Sequence, residues 1–218
     1  MKLSKETLTI LRNFASINPN LMIKPGNTIM TAAANKTAFA MATIEEDMPV
    51  TMGIYDLGEL LGVVSIFTDP DLTFTEKSLT ISEGKNKIRY MPADAEVLFF
   101  PKKVPAFPDA DAKFDLPAAQ LQQIMKASAV LKVPFMTIKG DGTKITVLVH
   151  DKANPNSNQF IIDVSATTDK EFQMHVKVDS LKMLVEDYAV DVSFAKVLQF
   201  VGKGKSYLVT CETDSSAE

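Results

Sequence analysis

Tryptophan is absent, and Cys211 is the only cysteine. One thiol cannot close an intrachain disulfide, so no disulfide framework holds this chain, and a reducing compartment suits it. Histidine is nearly missing too. His150 and His175 lie 25 residues apart, with no cysteine or carboxylate around them at metal-ligand spacing, so they read as surface or satisfied core residues. No apolar run approaches the roughly 20 residues that a membrane helix needs. Met1-Lys2-Leu3-Ser4-Lys5-Glu6 is followed by no apolar core of a secretion signal. The expected location is the cytoplasm, with no membrane partner. An excess of positive charge is also lacking: 23 lysines and arginines face 27 aspartates and glutamates, a formal net charge of −4. Proteins that hold nucleic acid by bulk attraction are basic, because phosphate neutralisation dominates their affinity. This chain either does not meet DNA or meets it by another route.

Catalytic signatures are missing as well. Gly202-Lys203-Gly204-Lys205-Ser206 looks like the end of a phosphate-binding loop, but the earlier glycine that loop needs is replaced by Gln199. A strand-like run, Tyr207-Leu208-Val209, follows where a helix should present its N–H groups. A hairpin turn fits better. Asp109, Asp111 and Lys113 lack the glycine and distal glutamate of a calcium loop. Cys211 has no partner base, and the acidic pairs Glu45-Glu46 and Glu186-Asp187 read as solvated surface. The expectation is a protein without catalytic residue, metal or cofactor.

What is present is a repeat. Four segments carry apolar residues at helical spacing. In roughly Ser4 to Ile17 the stripe is Leu3, Thr7, Ile10, Leu11, Phe14 and Ile17. In Leu57 to Ile66, led by a capping-box-like Asp56 and Glu59, it is Leu57, Leu60, Leu61 and Val64. In Pro117 to Leu131 it is Leu121, Ile124, Met125, Ser128 and Leu131. In Ser180 to Tyr188 it is Leu181, Leu184, Val185 and Tyr188. Short strand-like runs with turn residues follow each, among them the hairpin signal Asp141-Gly142. The unit is strand, helix, then three strands, and its recurrence outweighs any single assignment. The 218 residues suffice for two domains of about 100 residues each. Between the halves Pro101, Pro105 and Pro108 forbid a helix or central strand. The predicted fold is α+β: two similar domains, 1–94 and 115–218, joined by a connector over 95–114. Each is built from two repeats, with helices on one face of antiparallel sheets. The polar tail Asp214 to Glu218 is expected to fray.

One polar feature stands out. The outer face of the first helix carries Lys5, Thr9, Arg12 and Ser16, with Lys2 beside it. The third carries Gln122, Gln123 and Lys126, and the fourth offers Lys182, offset by Glu186. Charges alone describe an ordinary solvated face. Four equivalent helices on one side of a sheet system would instead merge these faces into a single surface, more basic than the acidic whole.

These features together resemble the sliding clamps of T-even-type bacteriophages. The resemblance lies in Met1-Lys2-Leu3-Ser4-Lys5, in Asn13-Phe14-Ala15 with Ile17-Asn18, and in Ile54-Tyr55-Asp56-Leu57 with Leu61-Gly62. It continues in Pro101, Lys103, Pro105 and Phe107-Pro108, followed by Leu121-Gln122-Gln123. It spans nearly the whole chain and is weakest from about residue 169. It implies the DNA-clamp fold and a homotrimeric ring threaded by duplex DNA. The ring would tether the replicative DNA polymerase and be opened by an ATP-dependent clamp loader, and the resemblance allows a further role as a late-transcription co-activator. Lys2, Lys5, Arg12, Gln122, Gln123, Lys126 and Lys182 would then face DNA. Val104 and Phe107 are the apolar candidates for a partner-docking groove. Edge strands would join the subunits, through Lys87, Ile88 and Tyr90 on one and Phe160 and Ile162 on the other. A proline at Ile162, by removing a ladder donor, is expected to loosen the ring. The competing reading is a non-catalytic, β-rich phage structural protein, equally acidic and equally free of motifs.

Overall fold

The computed structural model describes residues 1–217, and within them the chain divides into two compact units. One holds Met1–Asn35 and Phe39–Val104; the other holds Lys36–Ala38 and the chain from Pro105 onward. The connector read over 95–114 is therefore shared between the units. It contains a 3-10 turn, Ala95–Val97, and its last residues begin a strand.

In the first unit, helix α1 (Lys5–Ile17) starts at Ser4, whose side chain accepts from Thr7 N at 3.1 Å. The Glu46 carboxylate takes the Ser4 N–H and the Thr7 hydroxyl, so two donors at a helix start find an acceptor. Strands β1 (Leu21–Ile23), β2 (Gly26–Ala32) and β3 (Ala38–Met48) follow, then β4 (Met52–Ile54). Helix α2 (Leu57–Val64) is capped by Asp56, which accepts from Glu59 N at 3.0 Å. Strands β5 (Asp71–Thr75), β6 (Ser78–Glu83) and β7 (Asn86–Tyr90) close the unit. Leu11, Leu57, Leu60 and Val64 of the helices meet Ile23, Ile29, Leu72 and Leu79 of the strands in one apolar core.

The second unit opens with β8 (Ala112–Leu116) and α3 (Ala118–Leu131). Strands β9 (Phe135–Asp141), β10 (Lys144–His150) and β11 (Phe160–Thr167) follow. Next come β12 (Glu171–Lys177), β13 (Tyr188–Ser193), β14 (Val197–Gly202) and β15 (Lys205–Thr210), and a two-residue strand β16 (Ser216–Ala217). The sheet order β11-β10-β9-β12-β16 turns Met136, Ile138, Ile145, Val147 and Val149 into the core. Leu121 and Ile124 of α3 are buried likewise.

The pairing explains the repeat. β4, which leads into the second repeat, pairs with β1 of the first. Reciprocally, Met1 leads the first repeat and bonds β5 through Leu72, at 2.9 and 2.7 Å. In the second unit β12 pairs with β9, and β13 with β8, in the same reciprocal way. Each repeat thus lends its leading strand to the other. Neither half-unit can bury its sheet alone.

Four expectations are corrected. The segment read as a fourth helix, Ser180 to Tyr188, holds only a 3-10 turn, Val178–Ser180, and then irregular chain. Its amphipathic spacing is real, but side chains take its polar groups: Lys205 holds Glu186, Asp187 accepts from Ala118 N, and the Tyr188 and Tyr207 hydroxyls bond Leu184. Lys182 is accordingly exposed on a loop, not on a helix face. The acidic pairs are not simply solvated. Glu46 caps α1, Glu186 pairs with Lys205, and Asp187 accepts the Ala118 N–H at 2.7 Å, capping α3 where Pro117 offers no side-chain acceptor. The tail does not fray through Ala217: Ser215 is buried, and β16 pairs with β12. Glu218 lies outside the described residues. Strand β8 was hidden in the connector by its neighbouring prolines, although Ala112, Phe114 and Leu116 alternate inward against Lys113 and Asp115.

Candidate nucleic-acid interface

Helix α1 buries Thr7, Ile10, Leu11, Phe14 and Ile17. Its exposed stripe follows from that: Lys5, Thr9, Arg12 and Ser16 are separated by four, three and four residues and share one side of the cylinder. Lys5 and Arg12 stand about 10 Å apart along the axis. Among the described residues no ion pair engages either side chain. Glu6, in the first turn, is the acid nearest this stripe in sequence. Lys2 differs: it is exposed, but the Asp69 carboxylate binds its ammonium, and that hydrogen bond raises its pKa. It is therefore a compensated charge.

The exposed face of α2 carries Gly58, Glu59, Gly62 and Ser65. It offers no cation, as its sequence indicated. On α3 the exposed residues are Ala119, Gln122, Gln123, Lys126, Ala129 and Val130. The amides give donors and acceptors without charge, and Lys126 gives one cation, with no acid on that helix. On each of these two helices the exposed cations and amides outnumber the carboxylates, which makes each face weakly attractive to anions.

Groups that might have carried chemistry are spoken for. His150 Nε2 and His175 Nδ1 both bond the Thr137 hydroxyl, at 2.8 and 2.7 Å. Burial pushes the Cys211 thiol up to about 12, far from a thiolate at neutral pH. Gly202 and Lys205 pair across a two-residue turn with Gly204 at φ 70°, so the glycine-lysine segment is a hairpin. Among the described residues no three His, Cys, Asp or Glu side chains cluster to hold a metal ion.

The remaining candidates are placed as follows. Val104 is 48% exposed and Phe107 half-buried. Lys87, Ile88 and Tyr90 lie on β7, an edge strand; Phe160 and Ile162 lie on β11, also an edge strand. Two residues of those edges escaped the sequence reading, Arg89 and Asp163, both exposed. Period-two alternation beside Lys87 and Ile162 would have found them.

Solved structures with this fold include PCNA proteins and a DNA polymerase sliding clamp of Pseudomonas aeruginosa. The chain superposes on the PCNA of A. fulgidus, described with the C-terminal region of FEN-1, with a TM-score of 0.74 at 13% identity, covering 99% of this chain and 100% of that one. It matches the PCNA2–PCNA3 complex of Sulfolobus tokodaii with a TM-score of 0.71 at 12% identity, over 97% and 99% of the chains. The fold is the DNA-clamp fold. Residues 4–99 match the family model described as "DNA polymerase processivity factor", and residues 113–213 match "gp45 sliding clamp, C terminal". The sliding clamp of Vibrio phage KVP40 is 34% identical over 97% of this chain and 99% of its own length. That of Enterobacteria phage T4 is 30% identical over 99% of both. The chain belongs to the family of phage sliding clamps, the processivity factors of phage DNA polymerases. These matches set aside the phage structural protein.

Proposed function

We propose that three copies close into a ring around duplex DNA and hold the replicative polymerase there, with no catalytic step of their own. The observation that carries this is the contrast between an acidic chain, net −4, and the acid-poor exposed stripes of α1 and α3. A protein that holds DNA by topology needs no bulk attraction. A lining of Lys5, Arg12, Gln122, Gln123 and Lys126, with Lys182 at its margin, keeps the duplex centred and lets it slide. Lys2 contributes less, because Asp69 neutralises it. The ring must be opened to admit circular DNA, and an ATP-dependent loader supplies that work. The polymerase and loader dock through short apolar peptides at Val104 and Phe107 of the connector. The compartment is the cytoplasm of the infected host.

The test is polymerase product length on primed circular DNA with the cognate loader, ATP and this protein. Long products that require all three are expected. The same mixture on linear DNA with free ends should lose the effect, because a ring held only by topology slides off. Retention on open-ended DNA equal to that on circles would overturn encirclement.

A further inference from the structure

Asn18, Pro19 and Asn20 follow α1 directly and tie several parts of the first unit together. Asn18 closes the helix: its N–H donates to Phe14 O at 2.9 Å, and its backbone turns extended, at φ −152°. Pro19 O accepts the N–H of Leu57, the first residue of α2, at 2.7 Å. Asn20 Nδ2 donates to Tyr55 O, between β4 and α2, at 2.6 Å. Asn18 Nδ2 donates to Ala32 O, at the end of β2, at 3.0 Å. The last part is the connector, and it is held at one residue. Asn18 Nδ2 also donates to Phe99 O, and Asn20 Oδ1 accepts the Phe99 N–H, each at 2.9 Å.

Both backbone groups of Phe99 are thus met by side chains, as a neighbouring strand would meet them. The two amides are fixed in turn. Asn18 spends its amide protons on two carbonyls and its oxygen on the Asn20 N–H, at 2.9 Å, so only one orientation of its amide serves all three partners. Asn18 is only 5% exposed, and losing one partner would leave a buried polar group unpaired. Beside this clip Leu98 lies against bare backbone: a Cβ added at Gly53 would come within 2.7 Å of Leu98 Cδ1.

Beyond Phe99 the chain has no such support. Pro101, Pro105 and Pro108 carry no N–H. Among the described residues the next backbone hydrogen bond is that of Asp111 N to Val192 O, at 2.8 Å. Val104 and Phe107 lie inside this unladdered stretch, so its course is set on the upstream side by where Phe99 is held. We propose that Asn18 and Asn20 are positioning residues for partner docking: they fasten the start of the connector to the end of α1 and so pre-order the segment that receives the peptide. This rests on the docking reading given above. A connector released at Phe99 samples more conformations, and binding must then order it again. The helix that carries Lys5 and Arg12 and the segment that carries Val104 are thereby joined through one pair of amides.

The experiment uses the full chain with Cys211→Ser and a nitroxide on Lys102→Cys, an exposed position of the connector. It compares Asn20 with Asn20→Ala and Asn20→Asp, because the half-buried Asn20 is removed at less risk to folding than Asn18. Aspartate keeps an acceptor for the Phe99 N–H and loses only the donor to Tyr55 O. Label mobility and affinity for the labelled C-terminal peptide of the cognate polymerase are read at equal concentrations of folded protein, beside urea midpoints. Asn20→Ala is expected to sharpen the nitroxide spectrum and to weaken peptide binding about fivefold to tenfold. Asn20→Asp should restore most of both. A merely structural asparagine would lower the urea midpoint and leave mobility and affinity at wild-type values, and that result overturns the proposal. So does an Asn20→Asp variant that binds no better than Asn20→Ala. Val104→Ala and Phe107→Ala show which reading has failed. Weakened binding in these two beside wild-type binding in Asn20→Ala leaves the docking surface standing and removes the clip. Wild-type binding in both removes the docking reading, and the clip with it.

Discussion

The Lys205 ammonium lies 2.9 Å from the Glu186 carboxylate, and its side chain is only 6% exposed. This pair explains why the fourth repeat has no helix. Glu186 belongs to the loop that replaces it, and neighbouring groups of that loop are held from the same side. The Tyr188 hydroxyl donates to Leu184 O at 2.7 Å, and Leu184 N donates to the Tyr207 hydroxyl at 3.5 Å. In a helix the 188 N–H would serve the 184 carbonyl; here a side chain does, and the helical alternative loses its advantage. Burial pushes the Tyr207 hydroxyl up to about 12 and that of Tyr188 higher still, so both remain protonated.

Replacing Lys205 with methionine keeps the stem and deletes the charge. Glu186, 26% exposed, would then lose its cation, with Oε1 already lacking a hydrogen-bond partner. Stability should fall by about 2 kcal/mol, below the range for a fully buried pair because water still reaches the carboxylate. Urea unfolding reads the shift, and Lys205→Met with Glu186→Gln should recover part of it. A variant with the wild-type midpoint would remove the pair from any structural role.

The His150–Thr137–His175 arrangement makes a pH prediction. Burial holds both imidazoles below their ordinary value. Asp151 and Lys152 face His150, while Asp214, Lys152 and Glu212 face His175 with the first ring. A lowered folded-state pKa means that the unfolded chain binds protons more readily. The stability these rings contribute is therefore present above about pH 6.5 and is lost as pH falls through that value toward their folded pKa values. The urea midpoint should drop between about pH 7.5 and pH 5. His150→Asn with His175→Asn should flatten the drop, whatever it does to the midpoint at neutral pH. A wild-type midpoint constant over that window refutes the assignment.

Local signals were legible in the sequence, and long-range ones were not. Ile10, Leu11, Phe14 and Ile17 fix the buried side of α1 by spacing alone, and Asp56 announces α2 through the N–H of Glu59, three residues on. The glycines at 142 and 204 mark their hairpins because both adopt positive φ. Glu46 looked solvated because its partners, Ser4 and Thr7, lie some forty residues away. The residues Leu181 to Tyr188 satisfy a helical pattern, and partners such as Lys205 and the tyrosines at 188 and 207 hold them otherwise. The exposed polar residues of α1 and α3 were readable because exposure on a helix follows from what is buried. That β7 and β11 are edges was anticipated from the resemblance, but the sheet order that leaves them so skips along the chain, as in β11-β10-β9-β12, and no local pattern shows it.

Replacing Lys5, Arg12 and Lys126 with alanine should leave the fold intact, since exposed charge changes cost under about 0.5 kcal/mol. Retention on DNA should suffer. Fewer phosphate contacts mean a shallower dependence of binding on salt. A salt series of loaded-clamp lifetimes on circular DNA measures both effects. Identical lifetimes and slopes would mean that these helices do not line the duplex.

The docking proposal stands on the connector. Val104 is half exposed and Phe107 half-buried, on a stretch in which Pro101, Pro105 and Pro108 hold the backbone extended. An extended, preordered segment loses little entropy when a peptide settles against it. Interfaces of this kind draw their energy from a few buried apolar anchors. Phe107→Ala should therefore weaken binding of the polymerase's C-terminal peptide by more than about 1 kcal/mol, roughly fivefold or more. Val104→Ala removes less apolar area and should cost less. The competing role for Phe107 is packing against its own unit, and the two separate cleanly. A packing residue would lower the urea midpoint of the free protein and leave peptide affinity at the concentration of folded clamp unchanged. A docking residue lowers affinity and spares the midpoint. Fluorescence titration of the labelled peptide, with unfolding curves of the same preparations, decides between them. Equal affinity for wild type and Phe107→Ala removes Phe107 from the docking surface.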